Sequence, residues 1–314
     1  MVSCGLIELW VMVKIYLLAA FLAIRELIFD HLCDKNSFSS EISQSECCKG
    51  PLRCVIVTGA NGTIGSEVVK DLLGLGFRVH ALVHGVHKNT LPVNPLLFLH
   101  EADFSDIHEV RRLTATLIKS VTRIDLVVCC AGVMLADRKI IDGIESHFMV
   151  NVMSQAFLLD RIENLFTPST RIVFLSSATA RCSYHQFGEN MLSEYIGPYQ
   201  AYAFSKLLLA VFVSESARER SWSIVSLHPG TVPGGLYRNA NSVVRFVNRH
   251  FLPYLMRTPE TSSRLVLHTA LRHDFSNGCY YEDTKVVNVC QGISENDRKQ
   301  IYQEVQRRIG IWRC

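Results

Sequence analysis

Tyr202 and Lys206 stand four residues apart in Tyr199-Gln200-Ala201-Tyr202-Ala203-Phe204-Ser205-Lys206, ahead of the apolar run Leu207 to Val213. On a helix, residues four apart share a face, so a lysine ammonium there sits beside the phenol and favours its ionised form. A tyrosine held in that way can give or take a proton near neutral pH. The spacing is a weak signal by itself, since surface neighbours at i and i+4 need no function. Tyr281 and Lys285 repeat it in a stretch that reads as the last strand, and these two are expected to be structural. Company decides between the pairs.

Upstream, Cys54-Val55-Ile56-Val57-Thr58 is a short β-branched run. It leads into Gly59-Ala60-Asn61-Gly62-Thr63-Ile64-Gly65, which opens a helical pattern with Val68, Val69, Leu72 and Leu73 apolar. A strand, a glycine turn and a helix let backbone N–H groups and a helix N-terminus approach a pyrophosphate. Strand patterns follow at Phe77 to Val83, Leu96 to His100 and Leu126 to Cys130, with a helix from Ser105 to about Ser120. Arg171 to Leu175 reads as a fifth strand, with Ser177 just beyond its end. This alternation predicts an α/β fold: a doubly wound parallel sheet of the Rossmann type.

In order and spacing the chain resembles the short-chain dehydrogenase/reductase family over roughly residues 52 to 290. The resemblance rests on the glycine turn at 58 to 65, Asp103 after the third strand and Ala131-Gly132-Val133-Met134 after the fourth. It continues through Asn151, Ser177 in Phe174-Leu175-Ser176-Ser177, Tyr202 with Lys206, and His228-Pro229-Gly230. The wording Ala-Gly-Val-Met, Ser-Ser-Ala-Thr and Ala-Tyr-Ala-x-Ser-Lys-Leu is similar to the retinol-dehydrogenase-like branch. The resemblance implies that Ser177 and Tyr202 both bond the reacting carbonyl and that Tyr202 is the proton donor or acceptor. It further implies that Lys206 tunes the tyrosine and holds the nicotinamide ribose, and that Asn151 anchors a water linking Lys206 to solvent. The implied cofactor residues are Gly59, Asn61, Gly62, Ile64, Gly65, His84, Asp103, Ala131, Gly132, Tyr202, Lys206, Pro229 and Gly230. Catalysis would fall to Asn151, Ser177, Tyr202 and Lys206.

Three departures from the family wording are visible. Thr63 stands where TGxxxGxG has glycine, so that the loop is nearer the TGxxGxxG of extended relatives. Cys129-Cys130 replaces the two asparagines that support the central sheet, and Gly234 replaces a threonine near the nicotinamide arm. A nucleotide-binding scaffold or sensor with relaxed catalysis is the alternative these changes raise, but a scaffold has no need of Asn151, Ser177, Tyr202 and Lys206 together. At the end of the second strand, Val83-His84-Gly85-Val86-His87-Lys88 offers no acidic partner for the 2′-hydroxyl of NAD. His84 or Lys88 could pair a 2′-phosphate, which favours NADP(H) over NAD(H).

The totals bound the class of protein. Hydrophobic residues make up 48% of 314 and charged residues 19%, enough for a large packed core. The net charge of +3 is spread along the chain without a basic stripe, which argues against nucleic acid. The 11 cysteines are odd in number and fall partly inside apolar strands, which fits free thiols. No metal-ligand spacing occurs among Cys and His, so no metal is expected.

Leu6 to Phe29 is strongly apolar yet broken by Glu8, Lys14, Arg25 and Glu26. Leu9 to Ile24 makes about 24 Å of helix, short of a hydrocarbon core of roughly 30 Å. We therefore expect residues 1–33 to be an uncleaved membrane anchor, 34–50 a polar linker and 51–314 the catalytic domain. Basic residues follow the apolar run, and the sequon Asn61-Gly62-Thr63 sits inside the phosphate loop. Both argue for a cytosolic domain, at the endoplasmic reticulum or a lipid droplet. An apolar flap over a greasy substrate is expected at Leu236-Tyr237 and Val243 to Met256, which points to a lipid, retinoid, polyprenoid or steroid alcohol or carbonyl. A helix is expected from Thr258-Pro259-Glu260 to about His273. The charged tail from Ser294 to Ile309 would serve packing or a homo-oligomer contact.

Overall fold

The computed structural model describes residues 4–32, 53–85, 91–184, 187–188, 190–233 and 256–313. The expected linker at 34–50, Lys88, Gly234 and the flap residues Leu236-Tyr237 and Val243 to Leu255 lie outside the described residues. The chain begins with helix α1 (Cys4–Leu32), then β1 (Cys54–Thr58), α2 (Thr63–Gly74), β2 (Arg78–Val83), β3 (Leu97–Glu101), α3 (Ile107–Ser120) and β4 (Leu126–Cys129). A small hairpin, β5 (Ile140–Ile141) and β6 (Ile144–Glu145), leads into a π-helical turn at Met149–Met153 and helix α4 (Ser154–Ile162). Then come β7 (Arg171–Leu175), a 3₁₀ turn at Ala178–Cys182, α5 (Pro198–Glu219), β8 (Ser223–His228), α6 (Pro259–Leu271), β9 (Tyr280–Glu282), β10 (Lys285–Val287) and α7 (Glu295–Arg313).

The main sheet runs β3-β2-β1-β4-β7-β8-β9-β10. Its pairings are parallel up to β9, and β10 closes it as an antiparallel hairpin partner. Strands buried on both faces explain the unbroken apolar runs that mark β1, β4 and β7 in the sequence. Alternate side chains serve two cores. Val55, Val57, Val128 and Val173 pack with Val68, Leu72, Val266 and Ala270 of α2 and α6. Ile56, Val127, Ile172 and Phe174 pack on the other face with α3, α4, α5 and α7. Strand order reverses between β1 and β4, and the crevice beyond their C-terminal ends is where such sheets bind ligands.

Two expectations are corrected. Tyr281 and Lys285 do not share a strand, because Asp283 at φ 54° turns the chain between β9 and β10. Tyr281 is buried and its hydroxyl accepts from the Ser276 N–H at 3.0 Å, a structural role. The helix expected from Ser105 starts at Ile107, since the Asp106 carboxylate accepts from His108 N and Glu109 N as the N-cap. The tail helix α7 packs inward through Ile301, Tyr302, Val305, Ile309 and Trp312. By length and composition α1 could cross a membrane. Yet three of the four charges that interrupt its apolar sequence, Glu8, Arg25 and Glu26, find partners on the domain, while Lys14 lies over the exposed Trp10 ring.

Candidate active site

The glycine turn between β1 and α2 is built so tightly that only glycine fits. Gly59 adopts φ +60°, and a Cβ there would stand 2.7 Å from the Ala131 Cα. A Cβ on Gly65 would stand 2.2 Å from the Gly59 carbonyl oxygen. Gly62 caps α2 without a side chain and Ile64 lies in the first turn, so the cap itself supplies no side-chain oxygen to the backbone N–H groups at the helix start. That is the donor set a pyrophosphate needs. Asn61 braces the turn by donating from Nδ2 to the His84 carbonyl at 2.9 Å. His84 is exposed at the end of β2, with Nδ1 3.8 Å from a carboxylate oxygen of Asp103. Asp103 itself accepts from the Ser105 N–H at 2.7 Å.

The floor of the crevice is a buried polar network. Thr58 Oγ1 donates to Gln155 Oε1 at 2.9 Å and accepts from the Ala131 N–H at 3.0 Å. Gln155 Nε2 donates to the Ala131 carbonyl at 3.0 Å. Thr58 and Gln155 thus pin the segment entering Ala131-Gly132 from both sides, with Cys129-Cys130 in place of the family's asparagines. Gln155 was not singled out from sequence, and its position one turn after Asn151 on an apolar helix was the available signal.

Asn151 is fully buried in the π-helical turn, a distortion that re-aims a side chain. Its Oδ1 accepts from the Val133 N–H at 2.8 Å, while Nδ2 donates to the Val133 carbonyl at 3.2 Å and to Ser205 Oγ at 2.9 Å. Ser205 Oγ in turn donates to the Tyr202 carbonyl at 2.7 Å. Tyr202 and Lys206 occupy one face of α5, with the ammonium 5.8 Å from the phenol ring centroid. Lys206 Nζ donates to the Leu175 carbonyl at 2.9 Å. Burial lowers the pKa of this ammonium to about 8, against a smaller opposing effect of Cys130. Ser177 follows β7 and accepts from the Thr179 N–H at 3.2 Å and from the Thr179 hydroxyl at 2.9 Å.

Gly132 lies where both Asn151 and Lys206 reach, since a Cβ there would stand 3.3 Å from Asn151 Oδ1 and 3.4 Å from Lys206 Nζ. Asn151, Tyr202, Lys206 and the Ala131-Gly132 segment are thereby joined, and Ser177 hangs from the strand whose last carbonyl Lys206 holds. On the far rim, Pro229 and Gly230 follow β8. Gly230 adopts φ +100°, and the buried Arg257 side chain occupies the place its Cβ would take.

A second buried pair lies beside the phenol and was missed in the sequence. His147 Nε2 accepts from the Leu135 N–H at 2.9 Å, so Nδ1 carries the proton and donates to Glu145 at 2.8 Å. The His147 ring meets that of Tyr202 edge-on, with centroids 6.4 Å apart.

The chain is similar to known proteins along most of its length. The model of the NAD dependent epimerase/dehydratase family matches residues 55–271. Retinol dehydrogenase 11 of Mus musculus is 30% identical, the alignment covering 78% of this chain and 82% of that protein. Polyprenol dehydrogenase of Homo sapiens is 26% identical over 76% of this chain and 80% of its own. Among solved structures, a short chain dehydrogenase from Burkholderia cenocepacia J2315 in complex with NADP shares the fold, with a TM-score of 0.58, 18% identity and coverage of 74% and 96%.

Proposed function

The chain belongs to the short-chain dehydrogenase/reductase family and is an NAD(P)-dependent oxidoreductase, and we propose that it works at a membrane, with NADP(H), on an apolar alcohol or carbonyl. The observation that carries the reading is the buried Lys206 ammonium, one helical turn from Tyr202, with Asn151 beside it on the other side of Gly132. A buried ammonium beside a phenol holds positive charge next to the group that must give up a proton. In this reading Tyr202 moves the proton at the substrate oxygen, and Ser177 donates a second hydrogen bond to that oxygen. Asn151 fixes Ser205 and the turn carrying Tyr202. The glycine turn and the start of α2 would hold the cofactor pyrophosphate, and a bound nicotinamide supplies or takes the hydride.

Support for the substrate class comes from the two relatives named for retinol and polyprenol, and from the apolar character of residues 243–256. The motif wording also resembles that of the X-linked dehydrogenase/reductase member, a membrane-associated lipid-alcohol enzyme. The cofactor choice rests on His84, exposed where an NAD-preferring site would carry an acid. We place residues 1–33 as the membrane anchor and the catalytic domain on the cytosolic side of the endoplasmic reticulum or a lipid droplet.

The test is turnover of retinal and a polyprenal by the full chain in detergent, with NADPH and NADH compared by kcat/KM. A higher kcat/KM with NADPH is expected, and a strong preference for NADH sinks the cofactor assignment. Tyr202→Phe should lose at least 100-fold in kcat while still binding NADPH; unchanged turnover removes Tyr202 from the chemistry.

A further inference from the structure

The helix that carries Tyr202 and Lys206 lacks a cap of its own. Its N-cap is Gly197, which has no side chain, and its first residue is Pro198, which has no N–H. The first orphan donors are the backbone N–H groups of Tyr199 and Gln200. Both are taken by one carboxylate from the other end of the sequence: Glu8 Oε1 accepts from Tyr199 N at 2.9 Å, and Oε2 from Gln200 N at 3.1 Å. The absence of a side chain at 197 is what lets Glu8 in, because a Cβ there would stand 2.2 Å from the Glu8 Cδ. A carboxylate at this end also opposes the positive pole of the helix dipole.

The remaining contacts make α1 a strap across the active-site elements. Val11 and Ile15 pack on Cys182, at the end of the 3₁₀ turn that follows Ser177, and on Ala203, the neighbour of Tyr202. Tyr16 and Tyr199 share a hydroxyl hydrogen bond of 2.8 Å. Farther along α1, Glu26 accepts from the Thr231 N–H at 2.8 Å and meets His228 Nε2 at 3.1 Å, on either side of Pro229-Gly230. Asp30 pairs with Arg257, the side chain that fills the space over Gly230, at 2.9 Å. Arg25 pairs with Glu282 and Asp283, each at 3.1 Å.

We propose that α1 is a working part of the enzyme, in which Glu8 caps the catalytic helix from outside it and is a positioning residue for Tyr202 and Lys206. The proposal rests on the reading that those two residues carry proton transfer. Without the cap, the first turn of α5 frays, and Tyr202, in the second turn, loses its fixed direction. Lys206, farther along the helix, stays held by the Leu175 carbonyl, and the glycine turn is untouched, so cofactor binding is kept and the loss falls on kcat.

The experiment uses full-length protein in detergent micelles with NADPH and retinal. Glu8→Ala is expected to lower kcat about tenfold while the Kd for NADPH and the KM for retinal stay within about twofold. The double variant Glu8→Ala with Gly197→Asp puts a carboxylate back at the same helix end, in the space Glu8 vacates, and should recover most of kcat. Gly197→Asp alone crowds Glu8 and should be slow. Iodoacetamide labelling mapped by peptide mass reports the docking directly. Cys182 lies under α1, whereas Cys54 and Cys129 are buried in the sheet. Glu8→Ala should label Cys182 faster with Cys54 and Cys129 still protected. If all three react, the fold has failed, and Glu8→Gln, which keeps one acceptor oxygen, replaces it with an intermediate kcat expected. Wild-type kcat in an intact Glu8→Ala, or a double variant as slow as Glu8→Ala, overturns the proposal. Tyr202→Phe run alongside separates the two failures: if it is dead while Glu8→Ala is fast, only the cap falls, and if it is active, the assignment of Tyr202 falls with it.

Discussion

The Lys206 ammonium donates a 2.9 Å hydrogen bond to the carbonyl of Leu175, the last residue of β7. Ser176 Oγ returns the tie by donating to the Lys206 carbonyl at 3.2 Å. These two bonds fix α5 against the strand end from which Ser177 projects. A helix residue and a strand residue 31 positions apart are thereby held in one register, which is the condition for two hydroxyls to address one substrate oxygen.

The same burial sets a pH dependence. The Lys206 pKa is lowered by burial to about 8, against 10.5 for an unperturbed lysine. Above about pH 8 the folded protein loses the ammonium, so kcat/KM for retinal reduction should fall above that point. Lys206→Arg keeps the charge at all working pH values and should remove the inflection, although with lower activity. Between about pH 8 and 10.5 the unfolded chain binds more protons than the folded one. Stability from this residue therefore rises with pH across that window and is lowest below it. A kcat/KM profile from pH 6 to 10 checks the first claim; a flat profile in the wild type refutes it.

The sequence disclosed the site unevenly, for physical reasons. Glycine positions forced by φ or by a close approach, such as Gly59 and Gly65, were legible because no other residue fits them. Tyr202 with Lys206 was legible because both lie on one uninterrupted helix, where spacing is geometry. Gln155 and Glu8 were not, since each acts on a partner that only the tertiary fold brings near; Glu145 pairs with His147 two residues on, but the Tyr202 ring beside that pair comes from the fold. Glu8, Arg25 and Glu26 interrupt an apolar segment, and their partners lie 191 to 258 residues away. Asp283 broke the second Tyr-x-x-x-Lys spacing with a turn that an apolar pattern alone did not mark.

The floor under Ala131-Gly132 should be costly to disturb. Thr58→Val keeps the shape and removes the hydroxyl, leaving Gln155 Oε1 without its donor and the Ala131 N–H without its acceptor. Unsatisfied buried groups cost about 1–3 kcal/mol each. Thr58→Val should lower Tm by about 5 °C and weaken NADPH binding more than Thr58→Ser, which restores both bonds. Differential scanning fluorimetry with and without NADPH reads both effects. Equal Tm for the Val and Ser variants would show that the hydroxyl does not support the loop.

His80 on β2 should govern the acid limb of stability. It is buried, stacks on Phe98 with centroids 5.0 Å apart, and its Nδ1 lies 2.9 Å from His100 Nε2. Burial, with the nearby His100 and Arg78, lowers its pKa from 6.5 to about 4, and burial lowers that of His100 as well. The folded state thus keeps His80 neutral at pH values where the unfolded chain protonates it. Stability is fully present above about pH 6.5, falls as pH drops toward 4, and levels off below. At about 1.4 kcal/mol per pKa unit, the loss from His80 alone is about 3 kcal/mol. His80→Phe keeps an aromatic ring against Phe98 and removes the titration. Melting temperatures of wild type and variant should therefore converge, or cross, between pH 7.5 and pH 4.5. Parallel curves over that range would place the acid sensitivity elsewhere.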